Sequence, residues 1–518
     1  MKITLISTST YPGDQGLRTI SACLKRAGHE VCMIFLPLPE DYSIKYPEEV
    51  LKLVAEKSKD SNLVGINAMA STNERARQLI GLFKSINIPV IWGGPHPTFF
   101  PENCFKICDI VAVGEAEGAF LELAEKLEKK EDITGVKNLY IREKDGTEHR
   151  NPVRPALEDL DELAHPDFDL KDHLILENGA LIPFEERHIG GMLFFQTQRG
   201  CPQACSYCTN NILRQLYKND KILRSYSVDY VIEEFVRMRQ KFPSIGVIDV
   251  RDETFLVRDM AWLKEFSEKY KEKVGIRFKC LAEPASMAIE ELSEEKIQVL
   301  VDAGLTDIIV GIQSGSDKLN KELYNRFISA KQVLRCAKIL NKFKDKLAVM
   351  YDIIATNPYE SADDILETIQ LIRQLPPPHY VSVNNLVFFE GTPLYDKAVK
   401  DGLIQADGID SASRLNYWDR WNHIKMKKKN EYLNLILNMM RGKCHNGKWY
   451  GVMPDALLKQ LIRPELVGFN QNVTVFTYFV GYNVMALDYM RENVMKPIYR
   501  SMPVSLKLWY DKIRYRAE

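Results

Sequence analysis

The 518-residue sequence predicts an α/β protein: two successive strand–helix alternations followed by a mostly helical C-terminal region. Three observations carry this. Short β-branched runs recur between amphipathic stretches of helical period. Glycine and hydroxyl residues cluster where strands give way to helices. Beyond Lys400 the strand signal fades into helical sequence rich in Tyr, Trp and Met.

The first alternation occupies residues 1–150. Apolar runs at Ile3–Ile6, Val31–Leu36, Leu63–Ile66, Pro89–Trp92 and Ile110–Val113 have strand length. Helical patterns at Gly16–Ala27, Glu48–Ala55, Glu74–Phe83 and Ala119–Lys129 separate them, the first closed by Gly28 as a C-cap. Such alternation predicts a doubly wound, Rossmann-like parallel sheet whose ligand lies beyond the C-terminal strand ends. Thr8-Ser9-Thr10, Met69-Ala70-Ser71-Thr72, Gly93-Gly94-Pro95-His96 and Gly114-Glu115 fall there. Val136–Arg150 reads as a hairpin turning at Asp145-Gly146. Residues 151–190 read as a linker, rich in Pro and Asp from Asn151 to Leu170.

The second alternation occupies residues 191–400. Strands are expected at Met192–Gln196, Ile245–Val250, Arg277–Leu281, Asp307–Ile312, Val349–Ile354 and Val381–Phe388. Helices are expected at Val228–Lys241, Asp259–Tyr270, Glu294–Ala303, Ala330–Phe343 and Ala362–Leu375. Six βα units in a row predict a partial (βα)6 barrel. Residues 401–518 form the helical C-terminal region, a cap over the substrate pocket, with a lysine cluster at Lys425–Lys429.

Composition narrows the function. A hydrophobic content of 45% and a charged content of 27% are those of a globular protein, and a net charge of -1 supplies no pull toward nucleic acid. No signal-peptide core follows Met1, and Val473 to Met490, interrupted by Asn483 and Asp488, reads as a buried helix rather than a membrane span. Ten cysteines without a secretory signal predict a reducing, cytoplasmic setting in which clustered thiols bind metal.

The cluster in question is Arg199-Gly200-Cys201-Pro202-Gln203-Ala204-Cys205-Ser206-Tyr207-Cys208, a C-x-x-x-C-x-x-C spacing directly after an apolar strand. Thiolates suit zinc and iron–sulfur clusters alike. No fourth Cys or His stands nearby, unlike a closed structural zinc site, and a cubane held by three thiolates leaves one iron open. Three unrelated core cysteines are the plain alternative.

This spacing, with Tyr207 before the last cysteine, resembles the signature of the radical S-adenosylmethionine (SAM) superfamily. The resemblance implies that Cys201, Cys205 and Cys208 hold a [4Fe–4S] cluster whose open iron chelates SAM, that an external donor supplies an electron, and that a 5′-deoxyadenosyl radical abstracts hydrogen from an unreactive carbon. It places an acidic SAM contact at Asp252-Glu253 and ribose and carboxylate contacts at Gln313, Ser314 and Ser316. Where relatives usually carry G-x-P-G-E-T, this chain has Thr356-Asn357-Pro358-Tyr359-Glu360-Ser361, matching at Pro358 and Glu360. Gly391-Thr392-Pro393-Leu394-Tyr395 follows the sixth strand much as in relatives.

Placed before such a barrel, the first domain resembles the cobalamin-binding module of the B12-dependent radical SAM enzymes. Thr10, Ser71, Thr72, Gly93, Gly94, His96, Thr98, Gly114 and Glu115 are then the expected corrin contacts, small residues letting a flat ring approach the backbone. No D-x-H-x-x-G sequence supplies a histidine ligand to cobalt. The implied reaction is methylation of an unactivated carbon of a small-molecule or lipid-like substrate. An oxidative cyclase or rearrangement without methyl transfer and a non-catalytic sensor are the alternatives.

Cys23, Cys32, Cys104, Cys108, Cys280 and Cys336 sit in apolar patterns and read as core residues. Cys444-His445 stands between glycines with no motif around it. The tail from Lys496 to Arg516 interleaves aromatic and basic residues, as a helix packed by its aromatic face or one resting peripherally on a membrane would.

Overall fold

The computed structural model describes residues 1–38, 44–404, 426–440, 443–445, 448–450 and 455–463. The chain divides into two compact units, residues 1–245 with 387–416 and residues 246–386 with 417–518.

The first unit is built on a nine-stranded sheet. Its strands are β1 (Lys2–Ser7), β2 (Glu30–Phe35), β3 (Leu63–Asn67), β4 (Val90–Gly93), β5 (Ile110–Ala112), β6 (Leu139–Arg142), β7 (Glu148–Arg150), β8 (Leu174–Glu177) and β9 (Ala180–Pro183), in the order 7-6-5-4-3-1-2-8-9. Strands 5-4-3-1-2-8 run parallel, and the pairs 5–6, 6–7 and 8–9 are antiparallel. The five expected strands and four expected helices of the doubly wound sheet are present, as is the Asp145-Gly146 hairpin. The expected linker does more than connect, because β8 and β9 extend the sheet from residues 174–183. Their short, weakly alternating runs give little pattern without a neighbour to pair with.

Burial explains the sheet. Ile34, Val64, Ile66, Val90, Trp92 and Val111 are nearly inaccessible and pack with Leu79, Ile80 and Phe83 of the helix Asn73–Ser85. Each such side chain contributes about 1.5–3 kcal/mol by leaving water. The unit also holds β10 (Met192–Phe195) and a two-stranded ribbon, β11 (Gln198–Arg199) antiparallel to β12 (Arg224–Ser225).

The second unit carries five parallel strands, β13 (Val247–Val250), β14 (Arg277–Ala282), β15 (Leu305–Gln313), β16 (Ala348–Ala355) and β17 (Tyr380–Asn385), neighbours in that order. Helices connect them at Met260–Lys273, Glu290–Ala303, Ala330–Asn341 and Ala362–Gln374. Phe278 of β14 packs on Phe255, Phe266 and Tyr270, which fixes one face of the sheet against helices. Asp259, Ser329 and Ser361 cap three of these helices by accepting the backbone N–H of Trp262, Gln332 and Asp364, an arrangement worth about 1 kcal/mol each. Of the C-terminal region, the helices Lys428–Met439 and Asp455–Leu461 and a hairpin, β18 (Lys443–His445) with β19 (Lys448–Tyr450), are described. The expected helix at Val473–Met490 and the aromatic-basic tail lie outside the described residues. Among those described, no helix is long and apolar enough to cross a membrane.

Candidate active site and cofactor cradle

The cysteine loop begins one residue beyond β11. Gly200 has φ +92°, and a Cβ there would stand 1.8 Å from the carbonyl oxygen of Ile222 on the strand-ward side of the ribbon, so only glycine closes the turn. A short helix absent from the sequence reading, Asn210–Leu216, then holds the loop by its carbonyls. Asn211 Nδ2 donates to Ala204 at 3.2 Å and to Cys205 at 3.4 Å, and Arg214 Nη1 donates to Cys201 at 3.4 Å and to Pro202 at 3.2 Å. The Leu394 N–H reaches the Ser206 carbonyl at 3.0 Å. Shape is thereby imposed on the loop through main-chain oxygens. Cys205 is buried, and Cys201, Cys208 and Tyr207 are half-buried.

Among the described residues no three His, Cys, Asp or Glu side chains are close enough to hold a single metal ion. A cubane makes a different demand, since each thiolate binds a different iron and the sulfurs stand further apart than the ligands of one ion. Three thiols on one carbonyl-anchored loop fit that group.

The strand ends of the nine-stranded sheet sort the expected corrin contacts by exposure. Thr10, Ser71, Gly93 and Gly94 are half-buried and face outward enough to touch a ligand. A Cβ on Gly93 would meet only Ala112, at 3.7 Å, so its bareness serves no internal contact and leaves room for a flat ring. Gly94, at φ +104°, is required by the fold itself, since a Cβ would lie 2.0 Å from Asn67 Oδ1. Met69, placed at this edge by the sequence but not counted among the corrin contacts, is 51% exposed there, an apolar surface among polar neighbours. A thioether in a strand-end turn carries no motif; the only available signal was its place beside Ser71 and Thr72.

Other expected contacts turn inward. Thr72 Oγ1 accepts from Thr8 Oγ1 at 2.7 Å, and Thr98 Oγ1 donates to the Gly94 carbonyl while accepting from the Gly114 N–H. His96 is 2% exposed between Trp92 and Phe100, and neither ring nitrogen has a hydrogen-bond partner. Burial, with Arg77 nearby, pushes its pKa down to about 3, so it packs as a neutral ring. Gly114, at φ +80°, lies against Tyr217, whose hydroxyl accepts the Glu115 N–H at 2.7 Å.

Glu115 is engaged elsewhere than expected. Arg224 grips its carboxylate with both terminal nitrogens, at 2.5 and 3.0 Å, and Arg199 lies 3.4 Å away while also pairing with Glu117 at 2.6 Å. Burial alone would raise the Glu115 pKa, but the two guanidinium groups hold it below the usual carboxylate range. This network ties the end of β5 to both strands of the ribbon that introduces Cys201. Arg199 and Arg224 are 25 positions apart in sequence and become a pair only through the β11–β12 register.

The second unit contains the expected SAM contacts. Asp252 is fully buried and pairs with Arg258 at 2.9 Å, itself stacked on Phe255 and Trp262, which leaves exposed Glu253 as the acidic group at the end of β13. Ser316 caps the helix Asp317–Glu322 and donates to Asp364 at 2.6 Å, while Ser314 accepts the Ser316 N–H. Both hydroxyls therefore shape the turn rather than face outward. Gln313 is half-buried with φ +63°, a left-handed backbone, and its side chain lies back over Gly311, where a Cβ would stand 2.8 Å from Gln313 Nε2.

At the end of β16, Thr356 occupies φ +56°, a left-handed conformation that favours glycine. Asn434 of the helix Lys428–Met439 accepts its N–H at 2.9 Å, and Asn430 donates to the Glu360 carbonyl at 2.6 Å. These two asparagines, one helical turn apart, hold the backbone beyond β16 and carried no signal in the sequence. Glu360 is buried with Oε2 unpartnered, and burial, then Asp364, pushes its pKa up to about 8. A carboxyl raised above its unfolded value of about 4.3 stabilises the fold below that pH and loses the contribution as pH rises through about 8. Denaturant titrations should show wild type losing on the order of 3 kcal/mol relative to Glu360→Gln between about pH 5 and pH 9. Parallel profiles would show that Glu360 titrates normally.

A thiol loop anchored by its carbonyls and two sets of strand ends lined by small and polar residues define a cofactor-dependent α/β enzyme. Residues 1–124 match the model of the B12 binding domain, and residues 195–372 match that of the Radical SAM superfamily. An uncharacterized methyltransferase of Pyrococcus horikoshii is 27% identical over 390 residues, covering 74% of this chain and 78% of its own length. Cytidylyl-2-hydroxyethylphosphonate methyltransferase of Streptomyces wedmorensis is 25% identical over 357 residues, 61% of this chain and 64% of that protein. The radical SAM methyltransferase TsrM of Kitasatospora setae, solved with cobalamin and a [4Fe–4S] cluster, shares the fold over 77% of this chain and 75% of its own, with a TM-score of 0.60 at 16% identity. The chain thus joins a B12 binding domain to a Radical SAM domain, which bring cobalamin, SAM and a [4Fe–4S] cluster as cofactors, and it is similar to cobalamin-dependent radical SAM methyltransferases.

Proposed function

We propose that this enzyme methylates an unactivated carbon of a small-molecule substrate. Cys201, Cys205 and Cys208 hold the cluster, Glu253 and Gln313 contact SAM, and Thr10, Met69, Ser71, Gly93 and Gly94 line the corrin. When bound, these cofactors supply an organic radical and a transferable methyl group, the part of the chemistry that no side chain can perform. The chain's own residues bind and orient. Glu253 offers a negative charge to an ammonium, and the carbonyl contacts of Asn211 and Arg214 keep the thiols in a fixed array. The Arg199–Glu115–Arg224 network keeps the corrin-side turn and the cysteine ribbon in one register.

That network is the observation that carries the reading, because it joins both cofactor segments inside one compact unit. Its two guanidinium groups and two carboxylates would be an expensive way to build a turn that served neither. A cytoplasmic setting and an external electron donor complete the proposal, the first supported by the free thiols of the nine described cysteines.

Anaerobic purification with iron, sulfide and hydroxocobalamin tests it. About four irons, one cobalt and reductive release of 5′-deoxyadenosine from SAM are expected, with label from methyl-labelled SAM recovered in a small molecule about 14 Da heavier. A product that has lost hydrogen and gained oxygen would favour the cyclase chemistry instead. Fully clustered protein that never cleaves SAM would be a sensor.

A further inference from the structure

In the second unit, the turn that leaves β16 is held from a distant part of the chain. Thr356 stands there at φ +56°, and a β-branched residue is among the least suited to that left-handed backbone. Released, it would relax to a negative φ and the turn would leave its path. Three hydrogen bonds oppose this. The Thr356 N–H donates to Asn434 Oδ1 at 2.9 Å, and its hydroxyl donates to Asn385 Oδ1 at 3.1 Å. Asn430 Nδ2 donates to the Glu360 carbonyl at 2.6 Å. Asn434 and Asn430 are 3% and 4% exposed in the helix Lys428–Met439, which packs on the helix Ala362–Gln374 that follows the turn. Asn434 Nδ2 is spent on the Asn430 carbonyl at 2.9 Å, so its oxygen is the atom presented to Thr356.

The turn is bonded in its own right to the neighbouring strand end. Asn357 Nδ2 donates to the Tyr324 hydroxyl at 2.9 Å, both residues being fully buried. Asn357 also accepts the Tyr359 N–H on Oδ1 at 3.0 Å and the Glu360 N–H on its carbonyl at 3.2 Å. Tyr324 lies in the segment that leaves β15. The β15 turn is tied in addition to the helix Ala362–Gln374, through the Gly315 N–H to Thr368 Oγ1 at 2.8 Å and Ser316 Oγ to Asp364 at 2.6 Å. The two strands are paired, with Gln313 opposite Ile353. A displacement at Thr356 is therefore passed through packed, bonded groups to the turn that carries Gln313.

We infer that Asn434 is a SAM-positioning residue. Its hydrogen bond holds Thr356 in the backbone that glycine would adopt unaided, and the helix Lys428–Met439 thereby sets the shape of the strand ends beside Gln313. This rests on the proposed reading in which SAM lies beyond the C-terminal ends of this parallel sheet, where Glu253 and Gln313 stand. It adds to those two a residue that acts through the main chain and not by contact with SAM. SAM affinity then depends on how firmly a C-terminal helix is seated.

The test uses the reconstituted full-length protein without reductant, so that SAM is bound and not consumed, and reads its Kd by equilibrium dialysis with labelled SAM. Asn434→Ala should raise the Kd about tenfold, through a lost buried hydrogen bond and an unsupported left-handed threonine. Thr356→Gly alone should bind within about twofold of wild type, because glycine takes a positive φ freely. Added to Asn434→Ala, it should recover most of the loss, with water entering the space the amide vacates. Asn430→Ala is the comparison: it removes an equally buried amide from the same helix without touching Thr356, so Thr356→Gly should not rescue it. A merely structural amide would lower the Tm of both alanine variants and leave the SAM affinity of the folded protein unchanged. Wild-type affinity in Asn434→Ala, no rescue by Thr356→Gly, or equal rescue of both alanine variants overturns the proposal. If Asn434→Ala is insoluble the double variant decides, since soluble SAM-binding protein supports the proposal and an insoluble one overturns it. Clustered wild type that binds no SAM would be a separate failure, removing SAM from this sheet and the proposal with it.

Discussion

Replacing Cys205 by alanine is expected to abolish reductive SAM cleavage altogether, with iron content falling from about four per chain toward zero and cobalt content unchanged. Cys205 is the middle ligand of the C-x-x-x-C-x-x-C loop and the most buried of the three, at 6% exposure. Two thiolates cannot replace three on a cubane whose remaining iron must stay open. The loop itself should keep its path, because Asn211 and Arg214 hold its carbonyls and Gly200 sets its turn. The fold of the nine-stranded sheet, which cobalamin binding depends on, makes no use of this sulfur. Iron and cobalt analysis of the anaerobically reconstituted variant checks both halves. Retention of four irons would remove Cys205 from the ligand set, and loss of cobalt as well would mean that the variant had misfolded.

Arg224→Ala should lower the stability of the first unit by about 3–5 kcal/mol, read as a shift of the urea midpoint. The guanidinium is 6% exposed and bidentate to Glu115, and it also donates to the Leu157 carbonyl at 2.7 Å. Truncation leaves the half-buried Glu115 carboxylate with Arg199 alone, at 3.4 Å. The cost is mostly that of stranding a charge, so Arg224→Ala/Glu115→Gln should recover a good part of it. The same double variant separates stability from registration. If the network aligns the cysteine ribbon with the corrin-side turn, SAM cleavage should stay depressed when the urea midpoint has recovered. Full recovery of both would make the network purely structural.

Much of this site was legible in the sequence because its signals are local. The three cysteines announce themselves by spacing, and thiolate chemistry restricts what such spacing can hold. Strand and helix positions followed from periods of 2 and 3.6, which survive whatever packs against them. Thus β1 to β5 and β13 to β17 lie where their apolar runs placed them. Gly93 and Gly94 could be singled out for the same reason, since a bare backbone at a strand end has few uses.

What the sequence could not disclose is which of two neighbouring polar residues faces out. Asp252 and Glu253 are equivalent in text, but in the turn beyond β13 one enters a buried ion pair with Arg258 and the other is exposed. The hydroxyls of Ser314 and Ser316, expected at SAM, also bond to the turn they build, a second use that spacing does not record. His96 shows the same limit, a ring whose chemistry was suppressed by Trp92 and Phe100.

By itself, then, the sequence determined the two α/β alternations, the thiol loop and the family chemistry they imply, all encoded within a few residues or one structural period. Tertiary structure alone decided that β8 and β9 join the first sheet, that Glu115 belongs to Arg224 and Arg199, and that Asn430 and Asn434 hold the end of β16. Those outcomes depend on partners tens to hundreds of positions apart, where the free energy of a contact is set by burial and geometry that no local pattern records.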